Sequence, residues 1–422
     1  VLIRRAYKFR AYPDVATADA LVRGIGCTRL VYNLALAQRQ MFGRRGRRLD
    51  PSAELVALKR DFPFVKEDAF SQCLQQALRD LDAAFQAFFD GRARYPTPRR
   101  KFVDDAMRFP QPYTKAGVAI VLGRDSIRLP KFGWLSIHRH RKIKGRMRNV
   151  TVTREGERWH VVIQTEIEVR DPQLRVDLPA IGLDIGINRP IATSQGETIA
   201  LPQMSRQENT KRANLARALS RRKKGSAGRQ EAHQKLQRFD RHIADRRDDA
   251  RHKATTRLTQ SHGLLGIEDL DVRAMTASAR GTAEAPGRNV AQKAGLNRRM
   301  LDVAPGEIRR QLTYKAGWTG RIVLAVRPAY TSQDCSACGV RGHVARGERQ
   351  FACDACGARI DRDTNAGRNI LVRAILEHGR RTGGDSPWIE PHQRPETGMP
   401  KAAMIAHIAM QAGRSPRVQA GE

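Results

Sequence analysis

Cys335-Ser336-Ala337-Cys338 and Cys353-Asp354-Ala355-Cys356 form two paired-cysteine knuckles with fourteen residues between them. Four thiolates at this spacing make a tetrahedral sulfur cage for one structural Zn²⁺, with no open position for catalysis. Gly339 and Gly357 follow the pairs where a knuckle must turn tightly. A disulfide is the competing use of these thiols. Cys27 and Cys73 lie in apolar helical stretches and are expected to be inert core residues.

Carboxylates far apart in the chain offer a second chemistry. Asp184 and Glu268 stand on or just after short apolar strands (181–187 and 264–268), and Asp363 opens a helical run through 365–371. Carboxylates beside a sheet are costly unless paired or bound to metal. Two Mg²⁺ ions, or Mn²⁺ in their place, would satisfy all three acids and support phosphodiester hydrolysis by an activated water. Gly186 would let a scissile phosphate approach the backbone. Each acid alone reads as a strand-end or cap residue; the ordered set of three favours metal. Neighbours leave the choice open: Asp361 competes with Asp363, and Asp269 or Asp271 with Glu268. Arg362 either touches a phosphate or balances the flanking aspartates.

The elements that must position these groups are legible in outline. Residues 1–11 alternate apolar and basic positions, so Ile3, Tyr7 and Phe9 share one face of a strand while Lys8 and Arg10 occupy the other. Helical patterns follow over 17–42 and 70–88. The second has an apolar stripe (Phe70, Leu74, Ala77, Leu81, Phe85, Phe88) opposite Gln72, Gln75, Gln76 and Arg79. Gln72 and Gln76, one turn apart, could read adenine in a groove or simply hydrate a helix face. From 101 to 170 the pattern is strand-like, with a hairpin around Glu155-Gly156-Glu157. Asp171-Pro172 reads as a linker. Beyond it come the strand at 181–187, a hairpin around Ser194-Gln195-Gly196, a basic helical segment, the strand at 264–268, a helical stretch around 298–316 and a strand at 322–326. After about 380 the chain loses periodicity and reads as a disordered tail.

Composition points to the partner. The 422 residues carry a formal net charge of +34 with a pI near 11.0. Residues 206–257 hold 17 Lys or Arg against 6 Asp or Glu. Such an excess implies a polyanion, and nucleic acid is the leading one. No apolar run approaches the roughly 20 residues of a membrane span. No secretory h-region is visible at the start, and the cysteine usage fits a reducing cytosol.

Taken together, these residues resemble the TnpB family and its descendants, the miniature type V CRISPR effectors. Tyr7-Lys8-Phe9-Arg10-Ala11-Tyr12-Pro13 is similar to the family's first strand. Gly182-Leu183-Asp184-Ile185-Gly186 and Gly266-Ile267-Glu268-Asp269-Leu270 resemble its first two RuvC motifs. Tyr330-Thr331-Ser332-Gln333 through Gly357 resembles its zinc ribbon, and Asp361-Arg362-Asp363-Thr364-Asn365-Ala366 its third motif, in which the acid two places before Asn is catalytic. The resemblance therefore implies Asp363 over Asp361. Gly367 stands where the family often has alanine, and its expected effect is on helix propensity.

The resemblance implies an α+β multidomain protein. A β-barrel wedge domain (1–15 and 101–172) would carry a helical recognition insert (16–100). A ribonuclease H-like RuvC domain (173–330) would follow, with its basic helical segment at 203–260. An inserted zinc ribbon (331–360), the final RuvC helix (361–380) and the tail (381–422) would complete it. It further implies an RNA-guided DNA endonuclease of the prokaryotic cytosol, binding guide RNA and target double-stranded DNA as a monomer or as a homodimer on one RNA. Base pairing would supply specificity next to a short flanking motif. The other readings are an RNA-guided DNA binder that represses without cutting and a ribonuclease H-like transposase. The ribbon just before the third acid argues against the transposase, and the intact acids against the binder.

Overall fold

The computed structural model describes residues 1–42, 51–114, 117–170, 172–282, 284–342, 348–384 and 386–388. It divides into two compact units, Val1–Arg170 and Asp171–Glu422. The protein is α+β.

The first unit begins with β1 (Leu2–Tyr12) and continues through α1 (Val15–Phe42), α2 (Pro51–Asp61), α3 (Pro63–Asp68) and α4 (Ser71–Phe89). It returns to strands with β2 (Ala106–Phe109), β3 (Tyr113–Thr114), β4 (Gly117–Val118), β5 (Val121–Leu122), β6 (Ser126–Leu129), β7 (Gly133–His138), β8 (Arg146–Glu155) and β9 (Arg158–Glu168). The main sheet is seven-stranded in the order β2-β8-β9-β1-β7-β6-β5. Alternation in β1 buries Ile3, Tyr7, Phe9 and Ala11 on one face, as a period of two requires. Pro13 ends the strand and the Asp14 side chain accepts from Thr17 N, capping α1. At the far end, Gly156 at φ 64° turns β8 into β9, which pair from Glu155↔Arg158 onward. The helices keep a separate core around Leu36, Leu74, Ala77 and Leu81.

The second unit contains β10 (Ala180–Asp184), β11 (Ile191–Thr193), β12 (Thr198–Ile199), α5 (Arg206–Ser220), α6 (Ala227–Ser261), β13 (Leu264–Glu268), α7 (Val272–Met275), α8 (Val290–Val303), α9 (Pro305–Gly317), β14 (Ile322–Val326), β15 (Gln350–Ala352), β16 (Arg359–Asp361) and α10 (Arg362–Thr382). Its five-stranded sheet has the order β12-β11-β10-β13-β14, with β10, β13 and β14 parallel. Alternation sorts the two faces. Ile181, Leu183, Leu265 and Ile267 join Leu258, Ile308 and Leu312 on one side. Leu264, Leu324 and Val326 join Ile370, Leu371 and Ala374 of α10 on the other.

The structure refines two expectations. The helical stretch around 298–316 is two helices, because Ala304 takes a left-handed conformation (φ 56°, ψ 63°) and Pro305 starts α9. The basic segment is a helical hairpin: Ser205 and Glu208 form a capping box on α5, and Ser226 caps α6. Most of its acids are paired, as in Arg212–Asp240 and Arg246–Glu208. The exposed run Arg221-Arg222-Lys223-Lys224 sits at the turn between the helices. Helix α10 runs to Thr382, and the Trp388 indole donates to Leu178 O at 2.8 Å. The part of the expected tail from 389 to 422 lies outside the described residues.

Candidate active site

Strand parity builds the carboxylate site. Gly182 pairs with Gly266 and Leu183 with Ile267 across parallel β10 and β13. Asp184 and Glu268, each two residues after its glycine, therefore end adjacent strands on the same face. That is the face α10 covers. A Cβ on Gly182 would lie 1.9 Å from Gly367 O, and one on Gly266 would lie 3.0 Å from Ile370 O and 2.8 Å from the Ala374 Cβ. The glycines let the helix descend onto the strands until its first turn, carrying Asp363, reaches their carboxyl ends. Ligands of open α/β sheets commonly bind at that end.

Gly367 takes part in the same contact. A Cβ there would sit 2.8 Å from Ser194 N and 3.0 Å from Thr193 C, so its role is close packing against β11, not the propensity effect expected from sequence.

Asp184 feels the other two acids. Burial, then the charges of Glu268 and Asp363, push Asp184 up to about 7, against the opposing pull of Arg362. Burial also raises Glu268, opposed by its hydrogen bond from Thr331 and by Arg373. The rivals have other partners. Asp361 is the N-cap of α10, accepting from Asp363 N and Thr364 N, and takes both oxygens to Arg189 Nη1 at 2.7 Å. Burial raises Asp361, but these bonds outweigh it and hold the carboxyl below its usual range. Asp269 pairs with Arg309, and Asp271 caps α7 through Ala274 N. Arg189 also lies 3.4 Å from Asp363.

The sulfur cage is tighter. All four ligand atoms of Cys335, Cys338, Cys353 and Cys356 lie within 4.8 Å of one another, and among the described residues no other trio of His, Cys, Asp or Glu meets that test. Sγ–Sγ distances are 3.8 Å for Cys335–Cys356 and 3.5 Å for Cys338–Cys353. A ZnS₄ tetrahedron with bonds of about 2.3 Å has edges of about 3.8 Å, so the donor set fits zinc. The four thiols are free rather than disulfide-bonded. The knuckles repeat one design: Gly339 N donates to Cys335 O and Gly357 N to Cys353 O, both at 2.8 Å, with the glycines at φ 76° and 71°.

A polar stripe on α10, unassigned at the sequence level, ties the cage to the acids. Asn365 accepts from Ser336 N and donates to Asp334 O, each at 2.8 Å. Asn369 donates to Thr331 O at 2.8 Å and Asp334 O at 2.7 Å, and Arg373 reaches the Asp334 carboxylate at 2.9 Å. Thr331 in turn donates its hydroxyl to Glu268. The sequence signal was the spacing 365, 369, 373 on a helix whose other face is apolar.

The candidate contacts of the first unit already hold protein partners. Gln72 donates to Gln111 and Gln76 to Asp80, both at 2.9 Å. Lys8 pairs with Glu155 at 3.2 Å, and Arg10 lies over the Tyr12 ring. Gln75 and Arg79 are the exposed members of the α4 polar face. No helix among the described residues is long and apolar enough to cross a membrane.

Comparison with known proteins places this arrangement. "Putative RNA-guided DNA endonuclease InsQ" of Escherichia coli (strain K12) is 38% identical over 395 residues, covering 91% of this chain and 96% of that protein. The chain belongs to the TnpB family. A second relative, from Streptomyces pristinaespiralis and likewise named "Putative RNA-guided DNA endonuclease", is 35% identical over 422 residues, covering 94% and 99% of the two chains. Three family patterns match: a "Cas12f1-like, TNB domain" over 306–370, a "Probable transposase" over 162–279 and a "Helix-turn-helix domain" over 3–46. The first spans the cage and Asp363, and the second spans Asp184 and Glu268. The third falls on β1 and the long α1, so a strand and one helix occupy its described residues. Among solved structures, "Cryo-EM structure of the Cas12f1-sgRNA-target DNA complex" aligns at TM-score 0.43 with 13% identity, covering 88% of this chain and 99% of that one.

Proposed function

We propose that this TnpB-family chain is an RNA-guided DNA endonuclease with a single RuvC-type site. What supports the reading is that Asp184 and Glu268 end the paired strands β10 and β13, with the charges of Glu268 and Asp363 acting on Asp184, in a chain alike over nearly its full length to proteins named for that activity. Two Mg²⁺ ions held by these carboxylates would supply an activated water and stabilise the leaving oxygen. Asp184 and Glu268 present their oxygens from rigid strand ends, and Asp363 joins them from the first turn of α10. Arg362, within electrostatic reach of Asp184, would contact the scissile phosphate. One Zn²⁺ in the cage holds the ribbon that braces α10.

The remaining assignments follow the family. Residues 1–15 and 101–172 form the wedge around the recognition helices of 16–100, and together they hold the guide RNA and its heteroduplex with target DNA. Lys8, Arg10, Gln72 and Gln76 contact nucleic acid only if they exchange their present partners; the exposed cations 221–224 need no exchange. The complex is a monomer or homodimer on one RNA in the prokaryotic cytosol. The test is to purify the protein with its native locus, sequence the co-purifying RNA and assay matched DNA with Mg²⁺. Cleavage lost in Asp184→Ala is the expected result. Absence of RNA sinks the guided reading, binding without cutting supports a repressor, and strand-transfer products favour a transposase.

A further inference from the structure

Tyr330 holds a backbone conformation that its side chain disfavours. Its φ of 65° lies in the left-handed region, where a bulky residue is strained and glycine or asparagine is at ease. The turn itself explains the conformation: Tyr330 O accepts from Gln333 N at 3.0 Å and Asp334 N at 2.9 Å. It does not explain the tyrosine. Burial offers little offset, since the residue is 50% exposed. Strain of this kind collects at functional sites, where the side chain is needed for something other than folding.

The surroundings indicate what that is. The Arg341 guanidinium carbon lies over the Tyr330 ring, 3.5 Å from its centroid. Arg341 is fixed there by Asp334 at 3.0 Å, whose second oxygen is taken by Arg373 of α10 at 2.9 Å. The very next residue, Thr331, donates to Glu268. A half-exposed aromatic surface backed by a cation therefore stands next to the residue that bonds a candidate catalytic carboxylate.

We propose that Tyr330, backed by Arg341, is a stacking platform for one unpaired base of the DNA strand entering the carboxylate site. The proposal rests on the nuclease reading and adds a substrate subsite to it. An aromatic face accepts any of the four bases, so the contact positions a strand without reading its sequence. The cation behind the ring strengthens its hold on a flat ligand. With that base fixed, the phosphodiester beside it is held at a set distance from Glu268, and the ribbon becomes a ruler for the cut.

The test uses the full-length protein purified with its guide RNA and a guide-complementary single-stranded DNA, under single-turnover conditions. Tyr330→Gly removes the ring and relieves the backbone, so its Tm is expected at or above the wild-type value. Half-saturating DNA concentration should rise about 5- to 160-fold, the range of one lost base stack, with the maximal rate changed far less. Tyr330→Phe should recover most of that affinity. A DNA with an abasic nucleotide scanned along the strand should reproduce the loss at one position, and there the abasic and Tyr330→Gly effects should not add. Wild-type affinity in Tyr330→Gly, or additive effects at every abasic position, would overturn the platform while leaving the nuclease reading intact. A wild-type complex that cuts no matched DNA would overturn both.

Discussion

The sulfur cage and the carboxylate site are neighbours built on opposite principles. The cage is complete as the chain folds: four donors, tight turns and a spacing that matches one metal. Among the carboxylates, burial and then the charges of Glu268 and Asp363 press Asp184 up to about 7. They stay together because Gly182, Gly266 and Gly367 let α10 pack them into place. One site contributes to stability and the other draws on it, a common division between scaffold and active centre.

The sharpest way to test that division is Asp184→Ala, which should lower cutting by about 10³-fold or more while leaving zinc content at one per chain. Cys335→Ser should do the reverse in kind: zinc lost by elemental analysis, a lower Tm, and cutting reduced by about 10- to 100-fold through misplaced carboxylates. If cutting survives zinc loss unchanged, the stripe Asn365–Asn369–Arg373 does not couple the two regions. Gly182→Ala forces a Cβ against Gly367 O and should cost about 3 kcal/mol, lowering Tm and cutting together.

Acidity offers a gentler probe of the strained site. Asp184 has a folded pKa of about 7, above its unfolded value of 3.8, so the folded metal-free chain binds the extra proton between those limits. Its contribution to stability is full below about 4 and is lost as pH rises to about 7, with a slope of at most about 1.4 kcal/mol per pH unit. Thermal melts of the zinc-loaded protein in Mg²⁺-free buffer from pH 4.5 to 8 should show this slope flattened in Asp184→Asn. The smallest expected effect belongs to Thr331→Val, which removes the ribbon's hydroxyl from Glu268; the Mg²⁺ concentration for half-maximal cutting should rise a few-fold, and Thr331→Ser should restore it.

Local pattern carried the sequence reading a long way. The strand at 264–268 and the hairpin at Gly156 were legible because alternation and turn chemistry are local signals. The break at Ala304 was missed although Pro305 marks it, because the apolar spacing runs through the kink. Asp361, Asp269 and Asp271 could not be set apart from Asp363 and Glu268 in the sequence, because the caps and ion pairs that engage them, like the Arg189 contact that Asp361 and Asp363 share, are set by the fold. Gly367 read as a propensity defect for the same reason: the backbone it approaches is more than 170 residues earlier in the chain. The recurrence of glycine two places before each strand acid was visible all along, and with strand parity it would have placed α10.

The order in which the site's parts occur has a consequence in time. Asp184 and Glu268 lie on strands that can pair once residue 268 has left the ribosome, but Asp363 arrives 95 residues later. At roughly 5–20 residues per second, the growing chain spends about 5–20 s with two acids and no third. On the proposed assignment, a centre that closes only when α10 seats itself on Gly182 and Gly266 stays inert until that helix has emerged, after the cage.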